Sequence, residues 1–299
     1  MSMIKVIFLG TSDAIPSAER NHTAILLEYK NESILVDCGE GTQRQFRKAK
    51  LNPNRITKIL ITHWHGDHVL GLAGLLQTLA FSDYNKTLDI YGPRGTKEFM
   101  KILLRTFAFQ GKYKINVEEV ENRFFENDEF YLEAEKMTHG TPCNAYSFVR
   151  KGKLRIDKKK LEKTKLKGVI IKKLKEGKDI VYQGKKYFAK NLTYEEIGKK
   201  ISFVFDTSFN KNIVPFVKNS DLLVCESTFG EELEEQAEEY KHLNVKHTAE
   251  IAKKSKSKKL VLTHISQRYS KNPKRILDAA KKIFKNSVLV KDLDEIEVR

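Results

Sequence analysis

The sequence predicts an α/β fold from three observations. Short β-branched apolar runs alternate with amphipathic stretches, several of those runs end on a polar or ionisable residue, and 299 residues with 40% hydrophobic content supply enough apolar material for a sizeable core. Taken in order, Ile4 to Leu9, Ala24 to Leu27 and Ile34 to Asp37 read as strands. The gaps between them are too short for helices, so the sheet begins antiparallel or mixed. A helix follows Gly41, then a strand at Ile59 to Thr62, a helix from about Leu70 to Leu79, a strand at Leu88 to Tyr91 and a helix beginning near Gly95. Three later runs, Ile201 to Phe205, Leu222 to Cys225 and Leu260 to Thr263, each stop at a polar or ionisable residue. Loops at strand ends are where α/β proteins usually place their chemistry.

The formal net charge is +16, from 55 Lys and Arg against 39 Asp and Glu. It is concentrated in one place. Between Arg150 and Lys200 stand 19 basic and 6 acidic residues, so this stretch carries +13 and the rest of the chain only +3. Lysines alternate there with isolated apolar residues such as Leu154, Leu166 and Leu174, without the periodicity of a self-sufficient core. A solvated lysine-rich surface and a protruding arm that grips phosphates both fit that pattern. Compact patterns on either side make residues 150–200 an insertion within a single domain spanning 1–299. The charge points to an acidic partner, with nucleic acid foremost.

No apolar run approaches the roughly 20 residues that cross a bilayer, and the opening MSMIKVIFLG lacks the parts of a signal peptide. The three scattered cysteines, Cys38, Cys143 and Cys225, suit neither a disulfide framework nor a thiolate zinc site. These features predict a soluble, cytoplasmic protein with no membrane partner.

The strongest signal is His63-Trp64-His65-Gly66-Asp67-His68, directly after the strand-like run KILIT. Three imidazoles and a carboxylate in six residues are costly to bury unless something pairs with them, and a divalent metal is the usual solution. In a turn after a strand, His63 and His65 can point one way and Asp67 and His68 the other, offering ligands to two neighbouring ions. His139, Asp206 and His264 each follow an apolar or strand-like run.

His-x-His-x-Asp-His after a strand is the signature of the metallo-β-lactamase superfamily, which this chain resembles. That resemblance implies an αββα sandwich with a two-metal site at one edge of its sheets. The segments FLGTSDAIPSAERN, LVDCGEGTQRQF, HGTPCNAYSF, FDTSF, CESTF, Lys246-His247-Thr248-Ala249-Glu250 and LTHISQRY follow one another in the order found in ribonuclease Z, and the likeness covers nearly the whole chain. The resemblance implies an endoribonuclease that removes the 3′ trailer of precursor tRNA. A metal-activated water would leave a 3′-hydroxyl on the tRNA and a 5′-phosphate on the trailer.

Position by position, the resemblance assigns His63, His65 and His139 to one zinc, Asp67, His68 and His264 to the other, and Asp206 to both, giving two zinc ions per subunit. Mn and Fe share such ligands. Asp67, able to be both ligand and hydrogen-bond partner, is the candidate proton acceptor. The resemblance places His247 beside the scissile phosphate, where Glu226 either orients it or is a plain structural carboxylate, and makes Arg20 a contact to the RNA. Asp37 would support the metal ligands from behind, Thr248 would cap the following helix, and His22 and His242 receive no functional part. The basic insertion stands where the family carries its tRNA-binding arm, and Lys158, Lys159, Lys160, Lys172 and Lys173 are its expected phosphate contacts. Many relatives have a Gly-Pro pair in the arm, where this chain has Gly168-Val169. The family pattern also implies a homodimer. The competing readings are another phosphodiesterase or nuclease of the same fold and a non-catalytic RNA-binding protein. The complete ligand set opposes the second, and the +13 insertion opposes a small-molecule hydrolase.

Overall fold

The computed structural model describes residues 3–164 and 166–299. The strands, in chain order, are β1 (Ile4–Gly10), β2 (Ala24–Tyr29), β3 (Glu32–Val36), β4 (Lys58–Leu60), β5 (Leu88–Gly92), β6 (Ile115–Glu119), β7 (Asn122–Glu126), β8 (Phe130–Met137), β9 (Cys143–Arg150), β10 (Lys153–Ile156), β11 (Ile180–Tyr182), β12 (Lys185–Tyr187), β13 (Thr193–Glu196), β14 (Lys199–Val204), β15 (Leu222–Glu226), β16 (Leu260–Thr263), β17 (Ser287–Leu289) and β18 (Glu295–Val298). The chain divides into two compact units. One comprises residues up to 125, 132–148 and 200–299, and the other comprises 126–131 and 149–199.

The larger unit is built on two seven-stranded sheets, in the orders β18-β1-β2-β3-β4-β5-β6 and β17-β16-β15-β14-β9-β8-β7. The first sheet is mixed: β1, β2 and β3 pair antiparallel, and β3 to β6 pair parallel. In the second, β14 to β17 run parallel. Period-two alternation decides what each face packs against. Ile7, Leu26, Leu35, Ile59 and Ile90 meet Phe46, Leu72, Leu76 and Met100 of the helices Thr42–Lys48, Leu72–Phe81 and Thr96–Thr106. On the second sheet, Val204, Leu223, Cys225 and Leu262 meet Ala249, Ala252, Ile276 and Ala280 of the helices Val245–Lys254 and Lys274–Ile283. The remaining faces bury large side chains, and Tyr29 of the first sheet meets Phe148 of the second edge to face at 5.6 Å. Each sheet is therefore apolar on both sides, with helices outside.

Two local departures from the sequence reading place the histidine turn. The ladder of β4 ends at Leu60: the Ile61 N–H still donates to Tyr91 O of β5 (2.8 Å), but the Thr62 N–H turns to a side chain, Asp37 Oδ1 (2.7 Å). The helix expected from about Leu70 to Leu79 runs Leu72–Phe81, and a further short helix, Gly66–Val69, precedes it, set off by Leu70 and Gly71. Gly71 donates to Cys38 O, and a Cβ there would stand 2.1 Å from Gly39 O, so only glycine permits this close approach.

The smaller unit overturns one expectation. Leu166, Leu174, Ile180, Ala189 and Leu192 form a buried apolar cluster of their own. These residues are spread over several short elements, so no single stretch displays a period. A β10–β13 antiparallel pair and a β11–β12 hairpin complete it, and the Arg150 and Arg155 guanidiniums both meet the Glu196 carboxylate.

The Tyr146 hydroxyl donates to Ile61 O at 2.7 Å, tying β9 to the segment that leads into the histidine turn. Tyr146→Phe should lower the unfolding free energy by about 1–3 kcal/mol in urea titration, because it strands a buried carbonyl. An unchanged midpoint would mean that the bond contributes nothing.

Candidate metal centre

Four strand ends converge on one edge. His63 lies just beyond β4, Asp206 and His264 lie just beyond β14 and β16, and His139 stands in the loop between β8 and β9. Asp206 and His264 take positive φ, at 38° and 55°, as does Asp37 at 58°. Such backbone is uncommon outside glycine, and it persists here because the surrounding bonds hold it. Asp67 and His68 project from the first turn of the helix Gly66–Val69.

The hydrogen bonds behind four of the imidazoles decide which nitrogen is bare. His139 Nδ1 meets Lys241 O at 3.0 Å, so it must carry the hydrogen. His68 Nδ1 donates to Asp37 Oδ2 at 2.7 Å. Thr62 Oγ1 gives its one hydrogen to Asp37 Oδ2 (2.8 Å) and therefore accepts from His63 Nδ1 at 3.1 Å. Thr228 Oγ1 does the same between Glu226 Oε2 (2.6 Å) and His264 Nδ1 (2.8 Å). In the neutral rings, Nε2 of His63, His68, His139 and His264 then offers a lone pair.

Those nitrogens face one another. His63 Nε2 and His139 Nε2 lie 3.0 and 3.1 Å from His65 Nδ1, and His68 Nε2 lies 3.3 Å from His264 Nε2. Ligands about 2.1 Å from a tetrahedral zinc stand roughly 3.4 Å apart, so these separations fit a coordination shell. Asp206 stands between both groups: Oδ2 is 3.5 Å from His63 Nε2 and from His68 Nε2, and Oδ1 is 3.2 Å from His264 Nε2. Although buried, Oδ1 has no hydrogen-bond partner, which a cation would satisfy. The donors fall into one set of His63, His65, His139 and Asp206 and another of Asp67, His68, Asp206 and His264, and such residues fit two divalent ions.

The electrostatics agree. Burial pushes His68 and His264 down, but the carboxylates around them outweigh it, so both sit above the usual histidine value. Their Nε2 atoms therefore attract positive charge. Burial raises Asp67, yet His68 and the hydrogen bonds from His264 and His68 hold it well below the ordinary carboxylate range. Burial of Asp37, opposed by His68, lifts that carboxyl instead.

Several residues stand elsewhere than expected. His247 does not line the cavity before the donors: its Nε2 is 3.4 Å from Glu234 Oε1 and its ring packs on Phe209 at 5.1 Å. His242 does line it, donating through Nδ1 to Glu226 Oε2 at 2.9 Å. Burial opposes its proton, but Glu226 and Asp206 prevail and raise it to about 9. Buried Glu226 also accepts from the Thr207 N–H at 2.7 Å, so it orients His242 rather than His247. The helix begins at Val245 with Asn244 as cap, and Thr248 lies inside it. Asn is a better cap than Thr, and that was the available signal: it puts His247 in the first turn and His242 in the loop at the level of the strand ends. Arg20 is buried and donates to Thr11 Oγ1 and Val290 O, both at 2.7 Å, so it braces the fold instead of facing solvent. His22 pins Ala14 O at 3.2 Å. Lys158, Lys159, Lys160, Lys172 and Lys173 are exposed on the helices Lys158–Glu162 and Val169–Lys175 of the smaller unit.

Residues 4–151 match the family model described as Anti-Pycsar protein Apyc1. Ribonuclease Z of Bacillus cereus (strain G9842) is 37% identical over 99% of both chains. The chain belongs to the ribonuclease Z family. Human tRNase Z, short form, superposes with a TM-score of 0.71 at 28% identity, covering 98% of each chain. The metallo-β-lactamase fold protein YhfI of Bacillus subtilis superposes with a TM-score of 0.73 at 18% identity over the full length of both, which establishes the fold. As a ribonuclease Z, this chain is an endoribonuclease with a metallo-β-lactamase fold.

Asp37 fixes both His68 and, through Thr62, His63. Asp37→Ala should weaken metal retention about 10- to 100-fold in competition with a chromogenic chelator. Wild-type affinity in that variant would separate Asp37 from the centre.

Proposed function

We propose that this chain removes the 3′ trailer from precursor tRNA, using two zinc ions and acting as a cytoplasmic homodimer. The observation that carries the reading is the pair of donor sets sharing Asp206 at the floor of an open cavity, in a chain of the ribonuclease Z family. When bound, two divalent ions supply Lewis-acid charge to the phosphodiester and acidify a water. Asp67 takes a proton from the attacking water as its oxygen bonds to phosphorus. The bond from phosphorus to the upstream 3′ oxygen breaks, and His242, steadied by Glu226, protonates the departing oxygen. The products are a tRNA 3′-hydroxyl and a trailer 5′-phosphate. His242 thus takes the part first assigned to His247.

Exposed lysines of the smaller unit, including Lys158, Lys159, Lys160, Lys172 and Lys173, supply phosphate affinity without base preference. Binding therefore weakens steeply with salt. Exposed Leu70, Phe81, Ile102 and Phe107 offer apolar surface to a second copy, so light scattering should return twice the chain mass. Three free buried cysteines suit a reducing compartment, and no helix among the described residues is long and apolar enough to cross a membrane.

A 3′-extended tRNA incubated with the protein should yield the two stated ends, and a chelator should abolish them. On that substrate His242→Ala should lose at least about 100-fold in kcat, in line with general acid catalysis, whereas His247→Ala stays within about twofold. The reverse ranking would return the role to His247. Deleting 152–190 should reduce precursor cleavage far more than hydrolysis of a small phosphodiester. Equal losses would refute a binding arm.

A further inference from the structure

The cavity before the donor clusters, about 1000 Å³, has an aromatic wall that the chemistry above does not use. It begins at the turn Tyr240-Lys241-His242, which follows the helix Glu234–Glu239. Lys241 has a φ of 57°, and its carbonyl oxygen accepts from His139 Nδ1, so the turn is fastened to a candidate metal ligand. Tyr240 and His242, on either side of it, line the same cavity. The His242 ring lies 5.9 Å from that of Phe229, and Phe229 in turn stacks with Tyr240 at 6.4 Å with only 16° between the planes. Phe229 is 5% exposed and Tyr240 58% exposed, so a buried ring backs an open one. The Arg268 guanidinium sits 5.3 Å from the Phe229 centroid, steadied by a 3.1 Å bond to Gln236 Oε1, and Lys271 lines the cavity beside it.

An open aromatic ring in a cavity that also carries two cations, one buried ring removed from His242, matches the way proteins hold unpaired bases. Stacking of this kind tolerates any base, because each has a π face. We propose that Tyr240 is a stacking seat for a nucleobase adjoining the scissile phosphodiester, with Arg268 and Lys271 meeting that nucleotide's phosphate. The inference rests on the RNA substrate proposed above and adds a subsite to it. Its physical sense is orientation: a base held on Tyr240 fixes the sugar-phosphate link between it and His242, turning part of the stacking energy into alignment for attack.

The test compares wild type, Tyr240→Ala, Tyr240→Phe and Tyr240→Trp on a 3′-extended tRNA and on copies carrying an abasic residue on either side of the cleavage point. Tyr240→Ala should raise KM about tenfold or more, whereas Phe and Trp, which keep the ring, restore it. One abasic position should cost wild type a similar factor, and combining it with Tyr240→Ala should cost no more. A Tyr240→Phe loss as large as that of Tyr240→Ala, an unchanged KM, or penalties that multiply at both abasic positions would overturn the seat. A second readout is independent of cleavage. With chelator present, a trinucleotide RNA containing 2-aminopurine should be quenched by wild type and not by Tyr240→Ala. Quenching by wild type alone, without cleavage of the precursor, would support the seat and count against the tRNA substrate only. Equal quenching by both proteins, or none by either, would count against the seat itself.

Discussion

Asp206 is the point on which the two halves of the site depend. Its carboxylate is buried and held on a strained backbone at the end of β14, and its two oxygens are presented to imidazoles from opposite sides. Isolated, such a charge would be expensive to bury. Positive charge at the facing imidazole edges, from a bound cation or from protonated rings, offsets that cost. The four outer imidazoles are already committed through Nδ1 to a backbone carbonyl, Asp37, Thr62 and Thr228, so the arrangement is rigid before any ion arrives. Rigidity of this kind is what lets the ligands keep their geometry without reorganisation.

Behind the ligands, two buried carboxylates act as hubs. Asp37 gathers the Thr62 N–H and hydroxyl and His68, while Glu226 gathers the Thr207 N–H, the Thr228 hydroxyl and His242. One hub belongs to each sheet, so the centre is braced symmetrically from both. The fold contributes by ending its strands on one edge, where residues at positive φ turn their side chains toward one another.

Much of this was legible in the chain. The six-residue histidine cluster and the apolar runs ending at Asp206 and His264 announce strand ends with ligands, since period-two burial and sudden polarity are local signals. His242 was not legible in the same way. Its importance comes from Glu226, 16 residues away, whereas the one local signal, Asn244 as helix cap, says only that His242 lies outside the helix. Arg20 misled for the converse reason: a loop arginine reads as exposed, but its partners, Thr11 and Val290, include one 270 residues away. The apolar cluster of the basic segment escaped notice because its members are scattered over short elements. The local charge, by contrast, needs no folding to be seen, and it turns an overall +16 into a nearly neutral body and one basic insertion.

The central proposal is that the Asp206 carboxylate would serve two ions. Crystals of the protein loaded with zinc, measured at the zinc absorption edge, test it most directly. Two anomalous peaks per chain on opposite sides of the Asp206 carboxylate, one by His63, His65 and His139 and one by Asp67, His68 and His264, are the expected result. A single peak, or two peaks neither of which touches Asp206, would contradict it.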